Sequence, residues 1–595
     1  MAKKINVYKE DEDISIQLDK KQIGIAFSYI LKYRKKLFGT LLIIMLGILV
    51  ANVTPYILKL VFDDVIPQKN YTMLYVCGGV LLALVAISTF VNDYRMKQMN
   101  IVGQSIIYDI RKDLFAHIQK LPFTFFDTRP QGKILIRVTN YVNALADMFS
   151  NGVANAIVEI FTLIVVVCFM FATHVKLTLI SLLGLPVLML ILFSLKSVQR
   201  KTRRDYNNKS SNLNAYLHES ISGVKITQAF VRKRKNSRIF SHLSVESFRA
   251  WMKIAVVDFF IQVSTVILSD ITICITYFVA IVVLSGEGQK VDVGVTIAMI
   301  TYVTKLWEPI NNLANLYNQI VTNAAYLERI LETMDEEVMI ADKEGAYPLP
   351  KVEGNIDFTN LDFKYDENSR YIFKDFNLSV KAGEKIALVG HTGAGKTTVV
   401  NLLSRYYEIT SGDIKVDGHS IKDVTLNSLR GQIGYMLQES YIFSGTIMDN
   451  IRYGRLDATN EEVVAAAKAV AAHDFITELK DGYDTYVTER GTSLSIGQRQ
   501  FISLARTMLL DPKVLILDEA TASIDTQTEK KVIEGINKLT AGRTCFMVAH
   551  RLSTIVNADR ILVIGNQNII EEGSHSDLMD KKGAYYDFYT TQTQL

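Results

Sequence analysis

The strongest constraint on the fold is a set of six apolar runs, each close to the roughly 20 residues that a helix needs to cross a bilayer. They lie in the first part of the 595-residue chain and cover residues 37–61, 73–91, 156–173, 177–195, 262–284 and 293–313. Inside lipid, every backbone polar group needs a partner within the protein. The runs therefore predict six transmembrane helices. The end of the sixth run is the least sharply defined, because it contains Lys305 and Glu308.

The connections between these runs alternate between short and long. The two long connections cover residues 92–155 and 196–261. They carry basic clusters such as residues 200–204 and 232–235. By the positive-inside rule, the N-terminus, both long loops and the C-terminal half lie on the cytoplasmic side. Because long structureless loops are rare, each long loop is predicted to consist of two helical extensions joined by a turn, at residues 122–130 and 223–229.

The chain is predicted to contain an all-α transmembrane domain followed by an α/β domain. The predicted parts are a cytoplasmic N-terminal segment at 1–36, the membrane domain at 37–320, a linker at 321–352 and the α/β domain at 353–595. Residues 1–36 show no signal peptide. Within them, residues 22–36 have helical periodicity and a basic tail, which favours a helix along the inner membrane surface. A solvated linker is the alternative.

The charged residues within the predicted membrane helices, where an unpaired charge is costly, include Glu159, Asp270, Lys305 and Glu308. Counted from the predicted outer helix ends, all four fall at a similar depth, which favours a polar layer toward the inner leaflet. Structural ion pairs or a headgroup location are the alternative interpretation.

A phosphate-binding loop is the clearest chemical motif of the second half. A short apolar strand at 385–389 precedes a glycine-rich stretch and an apolar helix, which is the required context for GxxxxGK[ST]. Backbone N–H groups and the helix N-terminus bind phosphates there, Lys396 reaches the terminal phosphates, and the Thr397 hydroxyl ligates Mg²⁺. The α/β domain at 353–595 is therefore predicted to be a P-loop nucleotide-binding domain. The other predicted nucleotide-binding residues of this loop are Gly390, Thr392, Gly393, Ala394, Gly395 and Thr398.

A second motif places two carboxylates after a buried strand at 514–517. Asp518 is predicted to hold Mg²⁺, and Glu519 to polarise or deprotonate the attacking water. Phosphoryl transfer depends mainly on positioning and charge stabilisation, and this pair supplies both.

The stretch Leu494-Ser-Ile-Gly-Gln-Arg-Gln500 lies just before Asp518 and resembles the LSGGQ signature of the ABC transporter superfamily. From about residue 22 to the C-terminus, the chain resembles exporters of the multidrug and lipid-flippase type. The resemblance gives roles to several further positions. They are Tyr365 for adenine stacking, Gln438 for Mg²⁺ and the Gln loop, Asp525 after the catalytic Glu519, and His550 as the γ-phosphate switch. Residues 488–491 resemble the exporter-specific loop, and residues 125–132 and 219–230 match regions that flank the coupling helices.

The resemblance implies a half-transporter that works as a dimer. Two cassettes would sandwich two ATP molecules, and Ser495, Gly497 and Gln498 would contact the partner's nucleotide. ATP and Mg²⁺ are the implied cofactors, and membrane lipids, a second half-transporter and a small amphipathic substrate are the implied partners. The small net charge of +4 gives no support for nucleic-acid binding. Two alternative functions are a dedicated peptide exporter and an ATP-gated channel or regulator. The absence of a peptidase domain before the first helix counts against the peptide exporter.

One departure from the family pattern bears on the dimer. Position 496 is isoleucine where the family commonly has glycine, while Glu519 and His550 are kept. In heterodimeric exporters a degenerate signature often lies on the chain that keeps the glutamate. This favours pairing with a different subunit, and a homodimer is the alternative.

Overall fold

In the computed structural model, the chain forms two compact units. The described residues are 20–129, 131–147, 152, 154–284, 292–366, 369–437, 440–518, 526–548 and 555–593. The first unit contains residues 1–118 and 132–335, and the second contains residues 119–131 and 336–595. The second unit thus includes a short piece of the first long loop.

The first unit consists of helices. Their bounds are α1 Lys20–Lys32, α2 Arg34–Leu60, α3 Tyr71–Ile118, α5 Gln131–Ile136, α6 Val142–Asp147, α7 Ala154–Thr173, α8 Val175–Leu182, α9 Gly184–Ser222, α10 Val224–Ala229, α11 Lys233–Phe278 and α12 Val293–Met334; helix α4, Phe123–Thr128, belongs to the second unit. Among the described residues, π-helical turns follow α2, α5 and α11, at Val61–Val65, Arg137–Tyr141 and Val279–Leu284.

Four helical spans in the part of the chain that the structure describes are long and apolar enough to cross a membrane. They are Arg34–Val65, Tyr71–Ile118, Asn155–Thr173 and Lys233–Val282. The fourth predicted crossing contains a shorter apolar stretch, Val175–Ile191, and divides into α8 and α9 at Leu183. The sixth is α12, which runs on to Met334, so the first part of the predicted linker is helical.

The described parts of both long loops are mainly helical, as predicted, but the segments predicted as turns, 122–130 and 223–229, each contain a short helix, α4 and α10. Helix α3 is 48 residues long, and α9 and α11 are joined only by the short helix α10 and its flanking turns. Helix α1 is attached to α3 by polar contacts: the Lys32 ammonium lies 2.6 Å from the Asp109 carboxylate, and the Tyr29 hydroxyl donates to Asp113 at 2.9 Å. These contacts fix the start of α2.

The membrane helices pack closely where side chains are small. A Cβ added at Gly47 of α2 would lie 2.4 Å from a methyl carbon of Val91 on α3, so only glycine permits this approach. Polar side chains here bond to the backbone, as when Asn52 donates to the carbonyl of Ile48 at 2.8 Å and the Tyr302 hydroxyl donates to that of Asn52 at 2.8 Å. Such bonds satisfy polar groups that lipid cannot.

The second unit is an α/β domain with two main sheets. Its strands are β1 Ile356–Phe363, β2 Phe373–Val380, β3 Lys385–Val389, β4 Ser411–Val416, β5 His419–Ser420, β6 Ile433–Met436, β7 Gly445–Thr446, β8 Tyr486–Val487, β9 Val514–Asp518, β10 Thr544–Val548, β11 Arg560–Gly565 and β12 Asn568–Gly573. Its helices, besides α4, are α13 Lys396–Leu403, α14 Leu426–Arg430, α15 Ile447–Arg452, α16 Asn460–Ala469, α17 His473–Glu478, α18 Ile496–Leu510, α19 Thr526–Thr540, α20 His575–Lys581 and α21 Ala584–Thr593.

The larger sheet has the strand order β12-β11-β3-β10-β9-β6. All its neighbouring strands are parallel except the edge pair β11 and β12. The smaller sheet is antiparallel, with the order β2-β1-β4-β5. The central strands β3 and β10 are apolar and almost fully buried, which is typical of a parallel sheet covered on both faces.

Candidate nucleotide-binding site

The predicted catalytic segments meet at one edge of the larger sheet. Strands β3, β10, β9 and β6 run parallel, so their carboxyl ends lie on the same side, where open α/β sheets bind ligands. Val548 of β10 is level with Leu388 of β3 on one side and with Asp518 of β9 on the other. The glycine loop after β3 therefore begins at the edge where Asp518 ends β9.

The glycine loop leads into helix α13 as the motif requires. Gly395 has φ +108° and directly precedes the helix, which starts at Lys396. Lys396 is only 6 % exposed, and its ammonium donates to the carbonyls of Gly390 and His391 at 2.7 and 3.2 Å. The positive charge is thus held within the loop. Thr392, Gly393 and Ala394 line an adjoining cavity of about 550 Å³.

The two threonines that follow Lys396 differ in their surroundings. Thr397 is exposed in the first turn of α13, whereas Thr398 is buried. The hydroxyls of Thr398 and Tyr365 are hydrogen-bonded at 2.8 Å. Thr398 thus anchors the tyrosine assigned to adenine, and its hydroxyl is directed into the domain. Burial raises the pKa of the Tyr365 hydroxyl.

The predicted magnesium ligands fit the metal by their chemistry. Thr397 offers a hydroxyl oxygen at the helix start, and Asp518 a carboxylate at the end of β9. Mg²⁺ prefers hard oxygen donors, with one or two carboxylates and the phosphates of the nucleotide. When bound, Mg²⁺ neutralises charge on the phosphates.

Four predicted site residues lie outside the described residues: Gln438, Glu519, Asp525 and His550. Along the chain, Gln438 comes two residues after β6, Glu519 directly after β9, and His550 two residues after β10. All four assignments remain predictions.

The signature segment forms the start of helix α18. The Ser495 hydroxyl accepts from the backbone N–H of Gln498 at 3.2 Å, and the Gln498 side chain accepts from the N–H of Ser495 at 2.9 Å. This capping box fixes the helix start. Gly497 is buried and Ile496 is 41 % exposed. Among the described residues, no hydrogen bond joins this segment to the glycine loop of the same chain.

Sequence reasoning missed the roles of two tyrosines beside the site, Tyr407 and Tyr435. Tyr407 bonds to Asp127 and packs against the ring of Tyr365. Tyr435, near the end of β6, directs its hydroxyl to Asn401 at 3.3 Å, and burial, with the nearby Asp518, raises its pKa. No short motif marks these positions, because their contacts depend on the folded arrangement.

Two of the four membrane charges, Glu159 and Lys305, make hydrogen bonds to other helices. Glu159 accepts from the side-chain amide of Asn312 at 2.9 Å, and Lys305 donates to the carbonyl of Ala51 at 3.0 Å. Asp270 and Glu308 are exposed at the surface of this chain. The contacts support structural roles for the first two, whereas the polar layer stays a prediction.

A strand–loop–helix phosphate site and long apolar helices in one chain define a membrane-embedded nucleoside triphosphatase. Residues 37–309 match the family model described as the ABC transporter transmembrane region, and residues 373–522 match the one described as ABC transporter. An uncharacterised ABC transporter ATP-binding protein of Bacillus subtilis is 39 % identical over 97 % of this chain and 96 % of its own length.

Two further relatives carry functional names. A putative multidrug export ATP-binding/permease protein of Bacillus subtilis is 35 % identical over 95 % of this chain and 98 % of its own. An ATP-dependent lipid A-core flippase of Syntrophus aciditrophicus is 34 % identical over 90 % and 89 %. The structure of a bacterial Atm1-family ABC exporter with ATP bound superposes with a TM-score of 0.78, at 27 % identity, over 94 % of this chain and 98 % of that one.

The chain belongs to the ABC transporter family and is of the exporter type. It is a multi-pass membrane protein that binds ATP and couples its hydrolysis to transport. The predicted fold class is confirmed.

Proposed function

We propose that this protein is a half-transporter that exports amphipathic small molecules, drugs or lipids, across the plasma membrane by alternating access. The observation that carries the proposal is one chain that contains both apolar membrane helices and a phosphate loop with its lysine held in place. Relatives named for multidrug export and lipid flipping support this substrate class. The ATP-binding domain and both termini would be cytoplasmic.

The proposed dimer joins two cassettes around two Mg²⁺-ATP molecules. Lys396 and the loop N–H groups would hold the phosphates of one nucleotide, and Ser495, Gly497 and Gln498 of the second cassette would complete the site. Glu519 would orient the water that attacks the γ-phosphate, with His550 and Gln438 beside it. ATP binding would close the cassettes, and hydrolysis would reopen them.

We favour a heterodimer over a homodimer because of Ile496. Its side chain is exposed at the start of α18, beside the N–H groups that would face the partner's nucleotide. A branched side chain there narrows access to those groups. Of the two nucleotide sites, the one this signature completes would then be the impaired one.

The test is ATPase and transport activity of the purified chain in lipid vesicles, with Glu519→Gln as the control. ATP-dependent movement of a fluorescent amphipathic cation or lipid that is lost in Glu519→Gln supports export. Hydrolysis without movement of either probe counts against this substrate class. Strong activity of the chain alone indicates a homodimer, and activity that appears only with a second half-transporter indicates a heterodimer.

The proposed polar layer has its own test. Glu159, Asp270, Lys305 and Glu308 are replaced together by their neutral counterparts, and transport is measured in the same vesicles. Reduced transport with unchanged basal ATPase activity supports a role in substrate passage. Unchanged transport removes that role.

A further inference from the structure

A short piece of the first long loop is built into the nucleotide-binding unit. Residues 119–131 belong to that unit and contain helix α4. The Tyr407 hydroxyl donates to the Asp127 carboxylate at 2.6 Å, and the ring centroid of Phe123 lies 4.5 Å from that of Tyr406. Two adjacent tyrosines, shortly after helix α13, thus carry two separate contacts with the loop.

One of these tyrosines, Tyr407, also contacts Tyr365, which is predicted to stack on adenine. The ring of Tyr407 meets that of Tyr365 edge-on, with centroids 5.1 Å apart and an interplanar angle of 88°. At its other end, the Tyr365 hydroxyl is bonded to Thr398 in the first turn of α13. The Tyr365 ring is therefore held at its hydroxyl and against its neighbour, and it remains 37 % exposed.

We propose that Tyr407 is a positioning residue that holds the Tyr365 ring for adenine only while Asp127 of the loop is docked. The affinity for ATP then depends on the loop, and by thermodynamic reciprocity bound ATP strengthens the docking of the loop. This inference rests on the proposed function, which assigns Tyr365 to adenine.

The Asp127–Tyr407 bond is suited to this role. Tyr407 is only 9 % exposed, and a buried hydroxyl that donates to a carboxylate makes a strong, short hydrogen bond. Burial and the carboxylate raise the pKa of Tyr407, so the hydroxyl remains a donor at neutral pH. An edge-on ring contact constrains both rings, so freeing Tyr407 also widens the range of orientations open to Tyr365.

The neighbouring tyrosine provides a matched control. Tyr406 contacts its surroundings through its ring: Phe123 on the loop, Tyr435 at 6.0 Å, and the Arg430 guanidinium 4.9 Å above the ring. Tyr406→Phe preserves these ring contacts. Tyr407→Phe preserves the ring but removes the bond to Asp127.

The experiment measures KM for ATP and kcat of the full chain in lipid nanodiscs, with its partner subunit if one is required. For Tyr407→Phe we expect KM to rise about 5-fold with kcat within twofold, since a net hydrogen bond contributes about 1 kcal/mol. Asp127→Ala should match it, and the double variant should be no worse than either, because both changes remove the same interaction. Tyr406→Phe should behave like the wild type.

Hydrogen exchange of residues 119–131 gives a second readout. In the wild type, a saturating non-hydrolysable ATP analogue should slow exchange there. In Tyr407→Phe the analogue should have little effect, even at concentrations that restore full occupancy. Unchanged KM in Tyr407→Phe, or an undiminished effect of the analogue on exchange, overturns the proposal.

Tyr365→Ala separates this inference from the proposed function. If it raises KM while Tyr407→Phe does not, Tyr365 binds adenine but the link to the loop is wrong. If it leaves KM unchanged, the adenine assignment is wrong and the inference fails with it. If the wild type moves no amphipathic probe, but the variants still show the expected changes in KM and hydrogen exchange, the proposed substrate class is wrong. The link between the loop and Tyr365 is then still supported.

Discussion

Replacing Gly395 with alanine is expected to destabilise the nucleotide-binding unit far more than the same change at Gly393. Both glycines have positive φ, +108° and +82°, so alanine is strained at either position. The difference lies in the space around them. A Cβ at Gly395 would lie 2.7 Å from Cζ of Phe373 and 2.9 Å from Cγ2 of Ile372, whereas a Cβ at Gly393 meets nothing within 4 Å.

The surroundings of Gly395 have little freedom to move. Phe373 is fully buried, packs against Phe376 at 4.6 Å and pairs in the sheet with Phe363. A left-handed backbone at a residue with a Cβ costs about 1–2 kcal/mol, and overpacking a rigid core costs about 1–3 kcal/mol. We therefore expect a loss of about 2–5 kcal/mol for Gly395→Ala, and about 1–2 kcal/mol for Gly393→Ala.

Cys545 reports this difference in the intact membrane protein. It is fully buried in β10, and burial raises its pKa to about 12, so alkylation requires opening of the unit. When closing is faster than labelling, each 1.4 kcal/mol lost speeds labelling about tenfold. Gly395→Ala should thus label Cys545 about 5- to 150-fold faster than Gly393→Ala, as measured by peptide mass spectrometry.

Two further measurements sharpen the test. Cys168 and Cys274 are exposed on membrane helices of the first unit, and their labelling should be the same in both variants. Equal labelling of Cys545 in the two variants would refute the steric argument, because backbone strain alone would then explain the loss. Equal acceleration at all cysteines would indicate global unfolding instead.

Three shorter predictions concern other parts of the second unit. Ser495→Ala should destabilise the start of α18 by about 1 kcal/mol, seen as faster hydrogen exchange at the Gln498 amide, and Ser495→Asp should preserve the cap; unchanged exchange in the alanine variant would contradict the capping role. Burial raises the pKa of Asp417, but the hydrogen bonds that it accepts from Asn355 and the preceding backbone N–H groups outweigh burial and lower the pKa. The stability that this carboxylate contributes is present above pH 4 and is lost as the pH falls further. The thermal midpoint of Asp417→Asn should therefore fall less between pH 5 and pH 3 than that of the wild type, and an equal fall would contradict this. Ile496→Gly should raise the ATPase activity of a dimer limited by this signature, whereas unchanged activity would show that the isoleucine is tolerated.

The sequence predicted the elements of the membrane unit better than their ends. The length of an apolar run reflects only the part of a helix that lies in the bilayer core. Hydropathy therefore located α12 but not its continuation to Met334, which lies beyond the apolar run. Hydropathy also predicted one continuous helix at 177–195, where the structure has α8 and the start of α9. Their break at Leu183 directly precedes Gly184 and Pro186, and a proline is tolerated in the first turn of a helix but not in its interior. That local signal was present in the sequence.

The nucleotide site was predicted through residues that are close together along the chain. The glycine loop and its lysine are recognisable because their function depends on consecutive backbone groups. Tyr407 and Asp127 are separated by 280 positions, and their contact follows from how the loop packs on the domain. Thr398 illustrates a middle case: its place in the motif was evident, but the pairing of its hydroxyl with Tyr365 was not.

Helix α4 shows why this packing has consequences for coupling. It has only six residues, too few to be stable as an isolated helix in water, so it depends on the domain that it contacts. Within the second unit, Arg129 pairs with Glu336, and its guanidinium lies 4.4 Å above the ring of Phe125. The segment is thus held at both ends, by Phe123 and by Arg129, with Asp127 between them. The structure of this segment depends on its contacts with the domain, so a change at Tyr365 that altered the Asp127 contact would also affect helix α4. Helices α3 and α5, which precede and follow α4 in the chain, would then be affected through the covalent backbone.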